Sequence, residues 1–262
     1  MKYFLHLAYK GTAYQGWQRQ ANGLGVQAVI EDQLSRMFRQ TITLHGCGRT
    51  DAGVHASQYF AHFVMNDRWD FDAVFRLNKM LPPDIRVFEI IPIAKDANAQ
   101  LDVLHRTYDY FIHTQPNPFQ HDLSTYYALD SSRINEMKRA AAMISAYTDF
   151  KSFCKRPNLY PHTNCQVFHS ELSVNERDNS IRFRITANRF LQAMVRMLVG
   201  HLVWIGQGQL DLGEFKQLLE RPRLNEQPTF TYPQGLYLAK VTYPYLERAV
   251  ASNPDFDLKK GG

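Results

Sequence analysis

Residues Gly48 to Ala56 read GRTDAGVHA, so that one carboxylate, Asp51, stands in a glycine-flanked loop with a guanidinium, Arg49, two residues before it and an imidazole, His55, four residues after it. A carboxylate presented on a loop is available as a nucleophile or a general base if something keeps it ionised. Two glycines let the main chain approach a ligand more closely than side chains permit. The bland alternative is an Asx-turn, in which the carboxylate bonds its own backbone. Arg49 has three readings: it fixes the acid, contacts a phosphate, or is simply solvated.

A cation to hold such an acid is found far along the chain. Arg196 lies in NRFLQAMVRMLVGHLVWIG, with Gln192, Ala193, Val199 and Gly200 one helical turn away. Small neighbours imply close packing, and an arginine there needs a carboxylate or an RNA phosphate, because a buried unpaired charge is costly. If that carboxylate is Asp51, the pair keeps the acid ionised at neutral pH; otherwise Arg196 snorkels to water. Tyr108 and Tyr110 share one face of the strand RTYDYFIH with Arg106. Aromatics so placed either stack on a base extruded from RNA or belong to the core. Arg182 and Arg184 alternate with Ile181, Phe183 and Ile185, which gives either a phosphate track or an ordinary solvated face. His45, Cys47, His55 and His62 lack the spacing of a zinc site, and no nucleophile elbow, Walker loop or dinucleotide fingerprint is present.

These residues must be carried by something rigid, and the periodicities supply it. Lys2 to Tyr9 alternates as a strand, Val26 to Arg39 is helical, and Thr41 to His45 and Ser57 to Met65 read as strands flanking the Asp51 loop. A helix starting near Asp70 stops at Pro82-Pro83 and gives way to a strand from Ile85 to Ile93. This is the ferredoxin-like βαββαβ order. It recurs as a strand from Arg106 to His113, a helix from Ser132 to Tyr147, a hairpin of Gln166 to Val174 and Ile181 to Ala187, helices from Phe190 to Ile205 and Asp211 to Glu220, and a strand from Gly235 to Tyr243. The fold expected is α+β, with two ferredoxin-like halves forming a mixed, largely antiparallel sheet, helices on one face and a central cleft. Asp96 to Asp102 is the linker candidate. It divides residues 1–97, with the Asp loop, from 98–262, with the Tyr strand and the Arg helix. The terminal LKKGG is expected to fray.

Composition sets the outer limits. The chain has 262 residues, 45% of them hydrophobic, enough for a packed core, and a formal net charge of +5 that points toward an anionic partner. Cys47, Cys154 and Cys165 are odd in number and lack a close CxxC pair, which argues against a disulfide framework and suits a reducing cytosol. MKYFLHLAYKG alternates where a leader would be continuously apolar, and no apolar run reaches about 18 residues, so neither a signal peptide nor a membrane span is expected.

YKGTAYQGWQRQ, GRTDAGVHASQYFAHF, LNKMLPPDIRVF, TYDYFI, FLQAMVRMLVGHL and GLYLAKVTYP together resemble the tRNA pseudouridine synthase A family, in that family's order and across nearly the whole chain. The resemblance implies isomerisation of uridine to pseudouridine at positions 38 to 40 of the tRNA anticodon stem-loop, by a homodimer without metal or organic cofactor, and the cysteine usage makes a cytoplasmic location the expectation. It implies that Asp51 is the essential catalytic residue, that Tyr108 stacks on or near the target base, that Arg196 pairs with the aspartate, and that Arg49 helps to hold the base flipped out. His55, in the same motif, joins the substrate-binding set. The residues agree with this chemistry, since moving a glycosidic bond from nitrogen to carbon 5 needs a carboxylate, an extruded base and a dry pocket but no redox partner. Departures from the family pattern fall in DFKSFCKRPNLYPHTNCQV, in QPTFTYPQGLYL, at Gln100 and at Asp109. They bear on contacts with tRNA and not on the reaction.

Overall fold

The computed structural model describes residues 1–66, 68–175, 177–224 and 229–246, which leaves the LKKGG terminus and some of the QPTFTYPQGLYL segment outside the described residues. The described residues form two compact units, Met1–Leu104 with those from Tyr237 onward, and His105–Leu236. The change of unit at Leu104 falls beyond the 97/98 division read from the sequence, and no local signal announces the return of the last strand to the first unit.

The first unit runs β1 (Lys2–Tyr9), α1 (Val26–Phe38), β2 (His45–Gly46), β3 (His55–Val64), α2 (Ala73–Met80) and β4 (Ile85–Ile93), the order that the periodicities predict. β1 is central, antiparallel to both β3 and β4. A later strand, β9 (Leu236–Thr242), joins β3 in parallel, with His55 opposite Tyr237. Simple alternation predicts one buried face for β1, yet Tyr3, Phe4, Leu5, His6 and Leu7 are all buried. Both faces are covered: Tyr3 meets Trp69, which meets Phe38 of α1, whereas the rings of Phe4 and His6 pack on Phe60, with Tyr243 against Phe4. Burial lowers the His6 pKa to about 4.

Two local expectations are corrected. The strand expected at Thr41 to His45 shrinks to His45 and Gly46 paired with His62 and Ala61. Side chains of α1 satisfy the preceding backbone instead: Ser35 Oγ accepts from Ile42 N at 2.9 Å, Glu31 Oε1 accepts from Leu44 N at 2.8 Å, and Gln27 Nε2 donates to Leu44 O at 3.0 Å. The helix expected to start near Asp70 is capped by Asp72, whose Oδ1 accepts from Phe75 N at 2.9 Å.

The second unit runs β5 (His105–His113), β6 (Thr125–Tyr126), α3 (Ile134–Met143), β7 (Val167–Val174), β8 (Ile181–Ala187), α4 (Met194–Gly206) and α5 (Leu212–Glu220). β8 lies antiparallel between β5 and β7, while β6 runs parallel to the end of β5. α3 is shorter than its periodicity suggests, with 3-10 turns at Ser131–Arg133 and Ile144–Ala146 taking up the rest. α4 starts at Met194 and not at Phe190, because Ala193 adopts a left-handed conformation with φ 61°. The Asp211 and Glu214 signature closes as a reciprocal capping box at 2.7 and 2.9 Å. The architecture is α+β, with a mixed, largely antiparallel sheet and five α-helices among the described residues. Among the described residues no helix is long and apolar enough to cross a membrane.

Candidate active site

The Asp51 loop does not hang free from the sheet. The segment from Tyr9 to Trp17 wraps it and exchanges main-chain bonds with it: Trp17 N donates to Thr50 O at 3.3 Å, and Gly53 N donates to Tyr14 O at 3.2 Å. Tyr9 Oη and Thr50 Oγ1 lie 2.8 Å apart, and Tyr14 Oη donates to Asp84 Oδ1 at 2.7 Å. Tyr59, from β3, donates its hydroxyl to Gly48 O, while its ring stacks on Trp17 with centroids 4.0 Å apart. Approach this close requires glycine. A Cβ on Gly11 would lie 2.0 Å from Val54 O, and one on Gly16, where φ is +85°, would lie 2.3 Å from Thr50 O.

Within that frame Asp51 is exposed and its carbonyl accepts from Val54 N at 3.2 Å, closing the turn through main chain. Arg49 is also exposed, and among the described residues no carboxylate lies within ion-pairing distance of it. His55 is different: it is 1% exposed, its Nδ1 accepts from Gly11 N at 2.9 Å, and its ring packs on Tyr237 at 4.5 Å. An Nδ1 that accepts an amide puts the ring proton of neutral His55 on Nε2. The structure thus brings Arg49, Asp51 and His55 together on one loop, two of them at the surface and one beneath it as a bolt to Gly11.

α1 anchors the same frame from behind. Glu31, 3% exposed, accepts from Arg19 Nη2 at 2.5 Å, from Gln27 Nε2 at 3.0 Å and from Leu44 N at 2.8 Å. A buried carboxylate with three donors is satisfied, and it ties Arg19, just past the wrapping segment, to the helix. Sequence reading missed Glu31 because its place on the helix resembles any solvated acid. Trp17 and Tyr59 were visible only within longer motifs.

On the second unit, Tyr108 and Arg196 occupy half-buried positions. The Tyr108 ring meets Phe190 edge to face at 5.0 Å. Tyr110, by contrast, is core: fully buried, it lies 2.9 Å from Thr125 Oγ1 and donates to Tyr232 O at 2.8 Å. Its hydroxyl pKa is raised, mainly by burial and then by the neighbouring Tyr127. Arg196 is fixed at both ends, Nε donating to Thr231 O at 2.7 Å while Arg196 O accepts from Thr231 N at 3.3 Å and Oγ1 at 3.2 Å. Its guanidinium carbon sits 6.0 Å from the centre of the Phe230 ring. A stretch such as TFTYP gives no sign that Thr231 holds a helix arginine.

One candidate phosphate contact is removed. Asp109 stands opposite Arg184 in the β5–β8 register and accepts from its Nε and Nη2 at 2.7 Å each, forming a bidentate pair on a buried carboxylate. The unexpected acid in the tyrosine strand and the basic residue of the hairpin therefore satisfy one another. Among the described residues no group of three or more His, Cys, Asp or Glu side chains is arranged to hold a metal ion.

Comparison with known proteins adds to this geometry. A family model described as tRNA pseudouridine synthase matches residues 140–244. A tRNA pseudouridine synthase A of Porphyromonas gingivalis is 38% identical over 248 residues, covering 93% of this chain and 97% of the relative. Proteins of the same name from Bacteroides thetaiotaomicron and Chlamydia muridarum are 40% and 33% identical, covering 93% of this chain in each case and 91% and 92% of the relatives.

Proposed function

The chain belongs to the tRNA pseudouridine synthase A family, and on that premise we propose that it isomerises uridine to pseudouridine at positions 38 to 40 of the tRNA anticodon stem-loop, with Asp51 as the catalytic carboxylate. It is an isomerase. The bond from N1 to the anomeric carbon breaks, one from C5 to that carbon forms, C5 gives up a proton and N1 gains one, so the formula is unchanged and neither oxidant nor reductant is called for. Asp51 attacks the anomeric carbon, attacks the base, or takes a proton from the sugar to promote elimination; each route uses the ionised form.

The observation that carries this reading is an exposed carboxylate on a loop held by main-chain and tyrosine hydrogen bonds from the Tyr9 to Trp17 segment and from Tyr59. Such pre-organisation is what a reacting group needs, since its geometry is set before substrate arrives. Arg49, beside it and exposed, is proposed to hold the extruded nucleotide, and His55 to serve binding by bolting the loop to Gly11. On the other unit Tyr108 offers a ring for stacking on the base, and Arg196 supplies positive charge fixed by Thr231. The enzyme is proposed to act as a cytoplasmic homodimer without a cofactor. Asp51→Asn tests the assignment: pseudouridine formation in tRNA should vanish while tRNA affinity falls little, and conversion by the variant would overturn it.

A further inference from the structure

The segment from Lys151 to Cys165, where the chain departs from its family's pattern, is anchored beside the start of α4. Lys155 N donates to Gln192 O at 3.1 Å, and Gln192 N donates to Tyr160 Oη at 3.0 Å, so one residue staples two points of the loop. Gln192 lies just ahead of α4, the helix that carries Arg196. The side chains continue the connection: Lys155 Nζ lies 5.7 Å from the Phe230 ring centre, over which Arg196 also sits, and the Arg189 guanidinium lies 5.5 Å from the Tyr160 ring. Phe190, next to Arg189, packs on Tyr108. Cations and rings thus form one string from Tyr108 and Arg196 out to the loop.

Several cations of the helices and the hairpin already have carboxylate partners. Arg36 meets Asp32, Arg133 meets Glu136, Lys216 meets Glu220 and Arg184 meets Asp109. Among the described residues no carboxylate lies within ion-pairing distance of Lys155, Arg156 or Arg189. Asp149, just ahead of this segment, is half-buried and accepts from Lys151 N and from the Thr163 hydroxyl. Ring contacts restrain cationic heads without using up their N–H donors, which leaves those donors for an anion.

We propose that this face of the second unit grips the phosphodiester backbone of the RNA beside the target nucleotide, with Lys155, Arg156 and Arg189 each taking a phosphate. This rests on the reading of the chain as a tRNA pseudouridine synthase and assigns part of the contact surface of that activity to Lys155, Arg156 and Arg189. Phosphate contacts position RNA without reading its sequence, which suits an enzyme acting on many tRNAs.

The test is a combined Lys155→Ala, Arg156→Ala, Arg189→Ala variant, with tRNA affinity measured across a salt series by filter binding and turnover measured separately. Losing three phosphate contacts should flatten the slope of log affinity against log salt by about 2, raise KM about tenfold or more, and leave kcat at saturating tRNA within about twofold of wild type. An unchanged slope and KM would overturn the proposal, as would a fall in kcat at constant KM. Should the triple variant melt early, the double Lys155→Ala, Arg156→Ala variant, whose residues are both exposed, should still lose about 1 from the slope. Binding is read without turnover, so a wild-type protein that forms no pseudouridine would sink the functional reading alone.

Discussion

Gly16→Ala tests whether the Tyr9 to Trp17 segment sets the position of Asp51. The new Cβ would meet Thr50 O at 2.3 Å, where ordinary contact needs 3.4 Å or more, so the loop or the segment must yield by about 1 Å. Thr50 directly precedes Asp51, whose own carbonyl carbon is 3.1 Å from the same Cβ position, so a shift of the loop carries the carboxylate with it. A misplacement of about 1 Å costs on the order of 100-fold in rate, or about 2.7 kcal/mol in the barrier. Positive φ at Gly16 adds strain of about 1 kcal/mol to the folded state. The assay is single-turnover conversion of uridine in tRNA, alongside tRNA affinity and thermal midpoint. The expected result is a rate lowered about 100-fold, affinity within a few-fold of wild type, and a melt only a few degrees lower. Gly23→Ala is the control, because the atoms nearest its Cβ belong to the flexible Gln15 side chain, at 2.4 Å, and not to the main chain of the loop. Equal losses in the two variants, or full activity in a folded Gly16→Ala protein, would refute the positioning role.

Tyr59→Phe removes the donor to Gly48 O while keeping the ring on Trp17; it should cost about 1–2 kcal/mol in stability and lower kcat more than it raises KM, measured by denaturant melts and steady-state kinetics. Arg184→Ala leaves Asp109 buried without its bidentate partner, and a loss approaching about 3 kcal/mol by urea unfolding is expected with the salt slope of tRNA binding unchanged; a shallower slope would return Arg184 to the phosphate surface. Stability should also fall in acid. His6 and His62 have folded pKa values lowered from 6.5 to about 4, by burial in both and in His62 also by Lys2 and His45. The unfolded chain therefore binds protons that the folded chain refuses between pH 6.5 and 4, so stability present above that window is lost as pH falls through it, on the order of 3 kcal/mol per histidine at the acid end. Urea midpoints at pH 7.5 and 5 should differ, and His6→Phe, retaining the stacking on Phe60, should narrow the difference; a gap as wide as that of wild type would contradict it.

What the sequence made legible is what depends on neighbours in the chain. The strand from Ile85 to Ile93 and the capping box at Asp211 and Glu214 follow from alternation and short-range donors, and both appear as read. What it hid depends on partners far away in sequence. Glu31 looks like a surface acid of α1 until Leu44, 13 residues on, is brought against it, and that bond is also why Thr41 to Leu44 does not pair as a strand. Asp109 and Arg184 are 75 residues apart and meet only through the β5–β8 register, so neither residue alone separates a salt bridge from a phosphate track. Thr231 holds Arg196 across 35 residues, through its main-chain N and O and through its hydroxyl. The Asp51 loop was legible for the opposite reason. Its turn needs glycine at Gly53, where φ is +76°, and a requirement for glycine leaves its mark directly on the residue type. A site clamped by backbone contacts is therefore easier to find in a sequence than one clamped by side chains, whose partners can be exchanged without leaving a motif behind.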